Sequence, residues 1–226
     1  MIVGLSRSSR PCVDGGSALT VSLPGCNFRC PYCDGGMPRG CAEADHSEAA
    51  SRLRAGGGGA VVVTGGEPTA HLGLPSLLSD LKNAGARVIL ETNGSAPRVL
   101  DDVIGAMLVD EARMNVTPGW GAGRRAATGS DSPASALMES IDIAVGAGIP
   151  CELEVAAVPG IAGPDEIEAI AKGVSGHRGM ALLRFDPSRA SDPRLRLAEP
   201  YPGEAMRRMA AVAKRHVRDV RIYGLL

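Results

Sequence analysis

Short β-branched segments alternate with segments of helical period along most of this chain, and no other feature limits the fold so much. Residues 60–64 and 88–90 are continuous apolar runs, the pattern of strands buried on both faces. Between them Leu74, Leu77, Leu78 and Leu81 fall at helical spacing. Residues 18–23 supply a first strand ahead of these two. A less regular fourth follows at 108–116, a fifth at 151–158, a sixth at 180–185, and 220–223 adds a strand at the edge. Helices are expected at 47–55 and 99–107. Another follows Ser132-Pro133, with Leu137, Ile141, Ala144 and Val145 as its apolar stripe. Pro164-Asp165-Glu166 opens the next, with Ile167, Ile170, Ala171 and Val174 facing inward. The last carries Met206, Met209, Ala210, Ala213 and Val217, its methionines read as core.

Residues 1–17 read as a loop or hairpin and 34–45 as a loop. Residues 119–133 and 186–202 are long glycine- or arginine-containing loops, the second filling 188–202 before the last helix. Six strands alternating with helices predict an α/β fold with a parallel sheet, either doubly wound or curled. Right-handed crossovers with all helices on one side favour the curled form, a partial (β/α)6 open barrel of parallel strands in one domain over residues 1–226.

Hydrophobic residues at 44% and thirty glycines suit a compact α/β enzyme rather than a disordered chain. The net charge of -1 gives no bulk electrostatic reason to expect nucleic acid or an anionic membrane as partner. No apolar run approaches the roughly 18 residues of a membrane span, and no signal-peptide core follows residues 1–4, so a cytoplasmic location is expected.

Six cysteines, three of them packed into Cys26-Asn27-Phe28-Arg29-Cys30-Pro31-Tyr32-Cys33, do not read as a secreted disulfide framework. Three clustered thiolates can hold an iron–sulfur cluster and leave one metal atom open to a ligand. Structural zinc completed by Cys41 or His46 is the alternative. Cys12, Cys41 and Cys151 have no ligand-like spacing, and Cys151 reads as a small core hydrophobe. His71 and His177 read as surface or capping residues.

Ligands of parallel α/β folds sit at the carboxyl ends of the strands. The cysteine stretch follows the first strand, Gly65-Gly66-Glu67-Pro68 the second, and Glu91-Thr92-Asn93-Gly94 the third. Asn115-Val116-Thr117-Pro118 ends the fourth, Pro159-Gly160 follows the fifth and Asp186-Pro187 the sixth. Every polar or glycine motif therefore falls at one end. Gly65 and Gly66 let the backbone approach a ligand closely, and Glu67 can accept a hydrogen bond from a ligand ammonium.

The order Cys26-x3-Cys30-x2-Cys33 with Tyr32, then Gly-Gly-Glu-Pro, then Thr-Asn-Gly, resembles the radical S-adenosylmethionine (SAM) superfamily from about residue 18 onward. The resemblance implies a [4Fe–4S] cluster on Cys26, Cys30 and Cys33 whose fourth iron is chelated by SAM. Cleavage of SAM by the reduced cluster would give a 5′-deoxyadenosyl radical that abstracts hydrogen. By the same resemblance Gly65, Gly66 and Glu67 bind the methionine amino group, and Tyr32 lies near the adenine through its backbone. Thr92, Asn93, Asn115, Thr117, Arg184 and Asp186 complete the implied SAM site. A flavodoxin- or ferredoxin-type protein would supply the electron.

The later half, with residues 154–160, 182–187 and Pro200-Tyr201, is similar in order to the activating proteins of anaerobic ribonucleoside-triphosphate reductase. That resemblance implies a glycyl radical enzyme as protein substrate. The 7-carboxy-7-deazaguanine synthases are the alternative, through residues 91–95 and Thr117-Pro118. The family's usual Asp-x-Lys at the fourth strand end is replaced by neutral Asn115 and Thr117, so a cation for the ligand carboxylate is missing or comes from elsewhere, with Arg184 as candidate. Asp186 suits a ribose hydroxyl. Arg124, Arg125, Arg189, Arg194 and Arg196, on the two long loops, read either as protein-docking charges or as solvated loop charges.

Overall fold

The computed structural model describes residues 2–7, 18–33, 42–55, 58–119, 123–177 and 179–225. The strands are β1 (Ile2–Arg7), β2 (Ala18–Leu23), β3 (Ala42–Asp45), β4 (Gly59–Gly65), β5 (Ala86–Thr92), β6 (Glu111–Asn115), β7 (Cys151–Ala157), β8 (Gly179–Arg184) and β9 (Asp219–Tyr223). The helices are α1 (His46–Ala55), α2 (Leu74–Asn83), α3 (Pro97–Gly105), α4 (Arg124–Thr128), α5 (Ala134–Gly146), α6 (Pro164–Gly173), α7 (Pro193–Arg196) and α8 (Gly203–Ala213). Two compact units emerge. The first comprises Met1–Asn27, Gly35–Arg113 and Ser135–Pro150, and the second Phe28–Asp34, Met114–Ala134 and Cys151–Leu226.

Within the first unit the strand order is β3-β1-β2-β4-β5, followed by the start of β6. β2, β4 and β5 are parallel, as the uninterrupted apolar runs require, in a register that sets Thr20 beside Val62 and Val62 beside Ile89. Leu74, Leu77, Leu78 and Leu81 of α2 are fully buried, as are Val61, Val63, Val88 and Leu90. Each such side chain contributes about 1.5–3 kcal/mol relative to an exposed one. The opposite face of these strands is different: Ala18, Val62 and Ile89 pack together, and toward the strand ends charge replaces them. Thr64 donates to Glu91 at 2.6 Å, Arg113 bridges Glu91 and Glu111 at 3.2 Å each, and Arg87 reaches Glu111 at 2.8 Å. A buried ion pair lasts only when both partners are matched, and here two arginines interleave with two carboxylates.

The second unit carries the end of β6 and the order β7-β8-β9, all three parallel. Ile167, Ile170, Ala171 and Val174 from α6 and its C-cap are buried. So are Met206, Met209, Ala210 and Ala213 of α8, together with Val217, which gives both helices the inward faces expected of them. Val116 N–H donates to Glu154 C=O at 2.8 Å and Gly119 N–H to the Glu166 carboxylate at 2.6 Å, tying the segment after β6 to β7 and α6.

The architecture is α/β with a mostly parallel sheet of open order. Several local expectations need correction. Residues 2–7 form a strand antiparallel to β2, which is the hairpin arm of the two options, whereas 8–17 lie outside the described residues. Residues 42–45, expected to be loop, form β3 against β1, because that edge offers backbone partners whatever the side-chain pattern. Residues 34–41, with Cys41, and Cys12 also lie outside the described residues. The two long loops contain α4 and α7. Val145 stands 51% exposed, off the buried face of α5 that holds Leu137, Ile141 and Ala144, and Cys151 opens β7 half-buried rather than in the core.

Candidate functional site

In the first unit Cys26, Gly65, Gly66, Glu67, Thr92 and Asn93 are gathered where β2, β4 and β5 end. Gly66 N–H donates to Leu23 C=O at 2.8 Å and Glu67 N–H to Gly25 C=O at 2.9 Å, so the turn after β4 is stitched onto the backbone that leads into Cys26. That contact explains the two glycines. Gly65 has φ +114°, and a Cβ there would sit 2.2 Å from Leu23 O; a Cβ on Gly66 would sit 1.5 Å from Gly25 O. What approaches them closely is the protein's own chain.

Glu67 is 1% exposed, yet it carries a carboxylate. Its Oε1 accepts from Thr69 N–H at 2.9 Å, Thr69 Oγ1 at 2.5 Å and Thr92 Oγ1 at 2.6 Å, and its Oε2 accepts from Asn93 N–H at 2.6 Å. Burial raises its pKa, while the bonds from Asn93, Thr69 and Thr92 pull the other way. A carboxylate offers about four lone-pair directions, so most are used within the protein. Pro68 starts a 3-10 turn that Glu67 caps. The Asn93 side chain donates to Asn27 Oδ1 at 2.9 Å and reaches Cys26 Sγ at 4.0 Å, and Asn27 donates to Ser95 Oγ at 2.7 Å. Asn27 lies inside the cysteine motif and Ser95 in the segment 91–95, and the sequence reading gives neither a site role.

In the second unit Cys30, Tyr32 and Cys33 share a tight turn closed by Cys33 N–H to Cys30 C=O at 3.1 Å. The turn is braced from outside: Asp192 N–H donates to Pro31 C=O at 3.0 Å, Ser191 Oγ lies 3.2 Å from Cys30 O, and Arg29 N–H bonds Thr128 C=O at 2.6 Å. Burial pushes the Tyr32 phenol well above its ordinary value, with the charge of Cys30, a hydrogen bond to it and Cys33 adding to the shift and Arg124 opposing it. Asn115 and Thr117 stand at the end of β6, and Thr117 is buried.

Arg124 is the residue whose placement departs most from expectation. Instead of standing on a docking surface, it is 6% exposed, with Nε donating to Ser132 C=O at 2.8 Å and Nη1 to Thr117 Oγ1 at 3.0 Å. Its Cζ lies 5.8 Å from the centroid of the Phe28 ring. Three of the other loop arginines hold their own loops: Arg125 pairs with Asp131, Arg194 with Asp192 at 2.7 Å, and Arg196 donates to Ala190 C=O at 2.8 Å. Arg184 donates through Nε to Tyr201 C=O at 3.0 Å, and Asp186 caps its own turn by accepting from Ser188 N–H at 2.9 Å and Ser188 Oγ at 2.7 Å.

Cys26, Cys30 and Cys33 form no disulfide and are half-buried, a donor set suited to thiophilic iron. Among the described residues no three His, Cys, Asp or Glu side chains are gathered as a metal site. No helix among them is long and apolar enough to cross a membrane.

A parallel α/β fold with a three-cysteine loop after its first parallel strand and a Gly-Gly-Glu turn after the next defines a class of cofactor-dependent enzymes. A family model described as the radical SAM superfamily matches residues 20–172, and the chain belongs to that superfamily. It is therefore a radical SAM enzyme, with a [4Fe–4S] cluster and SAM as its cofactors. A protein of Methanocaldococcus jannaschii, named provisionally as a glycyl-radical enzyme activating enzyme, is 26% identical over 90% of this chain and 88% of its own length. The 7-carboxy-7-deazaguanine synthases of Aquifex aeolicus and Hyperthermus butylicus are 36% and 40% identical, over 35% and 37% of this chain and 41% and 37% of their own lengths. Among solved structures, a radical SAM methyltransferase from Sphaerobacter thermophilus superposes with TM-score 0.69 at 16% identity, covering 98% of this chain and 78% of that one. Streptococcus suis SuiB, solved with SAM bound, gives 0.63 at 13% identity over 91% of this chain and 52% of its own. These two show the shared fold.

Proposed function

We propose that this enzyme activates a glycyl radical enzyme, with an anaerobic ribonucleotide reductase as its protein substrate. The observation that carries the reading is the extent of the likeness to the Methanocaldococcus jannaschii protein, which runs through nearly the whole of both chains. When bound, the cluster and SAM supply a carbon-centred radical able to take hydrogen from a glycine.

The chain's own residues prepare for that step. Cys26, Cys30 and Cys33 would hold the cluster, by their spacing within eight consecutive residues. Gly65 and Gly66 let the turn after β4 lie against the segment entering Cys26, so that the first thiol is placed by backbone hydrogen bonds. Glu67, Thr92 and Asn93 lock two strand-end turns together; Oε2 of Glu67, with one bond from Asn93, keeps a lone pair for the SAM ammonium. Tyr32 offers its backbone toward the adenine, and Asn115 and Thr117 line the end of β6. Asp186 would take a ribose hydroxyl, and Arg184 braces the 201 segment. A flavodoxin- or ferredoxin-type protein would serve as the electron donor.

The 36–40% local identity to the deazaguanine synthases favours a second reading, a radical enzyme acting on a carboxylated pterin. Electron paramagnetic resonance separates the two. The reduced, reconstituted enzyme mixed with SAM and the reductase is expected to give a glycyl doublet. No doublet, together with turnover of the carboxylated pterin, would replace the first reading by the second.

A further inference from the structure

We propose that Arg124 holds the carboxylate of SAM. A guanidinium is always charged, and this one is nine-tenths buried with no ion pair among the described residues. Two of its three nitrogens are committed, Nε to the Ser132 carbonyl and Nη1 to the Thr117 hydroxyl, and those two bonds fix the direction of the third. Nη2 is buried without a hydrogen-bond partner among the described residues. A buried N–H of a charged group left unpaired is costly, and an anionic oxygen is the acceptor that relieves it best.

The surroundings narrow the choice of anion. The guanidinium lies over the Phe28 ring, and its charge is felt by Tyr32 and Cys30 on the turn that carries two of the three thiols. An anion bound at Nη2 would therefore sit beside that turn, and the anionic group of this family's cofactor is a carboxylate. Thr117, neutral at a strand end where a lysine is expected by resemblance, is the residue to which Arg124 is anchored, so the charge comes from a different stretch of chain. Arg184, the candidate offered by the sequence, is instead tied through Nε to the Tyr201 carbonyl.

The inference rests on the family's use of SAM, and the test keeps the two apart. Equilibrium binding of SAM and of decarboxylated SAM is measured on the cluster-loaded full chain, for wild type, Arg124→Gln, Arg124→Lys and Arg184→Gln, with iron content and melting temperature as checks on folding. Arg124→Gln is expected to weaken SAM about 10- to 100-fold and decarboxylated SAM less than about threefold, because only the first ligand loses a charge-assisted bond. Arg124→Lys recovers part of the loss. Equal weakening of both ligands, or selective loss in Arg184→Gln instead, overturns the assignment. Wild-type chain that takes up no iron and binds neither ligand overturns the cofactor reading, and the assignment falls with it.

Discussion

Glu67 and Arg124 are both buried charges beside a strand end, one in each unit, and they are satisfied in different ways. Glu67 accepts four hydrogen bonds from its own chain and has little left to offer. Arg124 makes two and keeps an N–H with none. The first is mainly the arrangement of a scaffold, whose energy goes into holding two turns and the entry to Cys26, with one lone pair of Oε2 left over. The second is that of a recognition group, held in place by part of its donors while the remainder waits for a ligand. A buried charge by itself therefore says little about function, and the state of its last donor or acceptor says more.

The contrast can be broken at several points. The largest effect is expected from Gly66→Ala, where a methyl group would meet the Gly25 carbonyl at 1.5 Å; a loss of more than about 4 kcal/mol should appear in urea denaturation. An unchanged midpoint would mean that the turn is not pinned to the Cys26 segment. Arg113→Met removes the guanidinium that bridges the buried Glu91 and Glu111 and should cost about 3–5 kcal/mol by the same measurement.

Glu67→Gln is expected to cost about 2–4 kcal/mol, since an amide NH2 would face the donors of Thr69, Thr92 or Asn93. A neutral outcome would mean that the carboxylate does not hold these donors. Arg124→Gln should change stability by no more than about 1 kcal/mol, because it removes an unsatisfied donor together with two satisfied ones. A loss as large as that of Glu67→Gln would erase the distinction between the two residues.

Much of this was legible before any coordinates. The parallel strands β4 and β5 announce themselves because burial on both faces leaves uninterrupted runs of Val, Ile and Leu, as in 60–64 and 88–90. α2, α6 and α8 show because one-sided burial imposes a period of 3.6. β1 and β3 were less visible: they are antiparallel additions at the edge, and the four residues 42–45 are too few to reveal a period. The strand-end motifs were found by position, yet the reason for the glycines was not, since sequence does not say whether a close neighbour is a ligand or the chain itself. Arg124 was misread for a related cause. An arginine in an aperiodic glycine-rich stretch looks solvated, and its burial depends on Phe28, Thr117 and Ser132, two of which precede it in sequence.

The family assignment stands or falls on the three thiols, and anaerobic reconstitution with iron and sulfide tests it most directly. The account predicts iron and sulfide in the ratio of a [4Fe–4S] cluster, visible absorbance that dithionite bleaches, and loss of both in Cys30→Ala. Uptake of zinc in place of iron, no visible absorbance and a Cys30→Ala chain indistinguishable from wild type would contradict it.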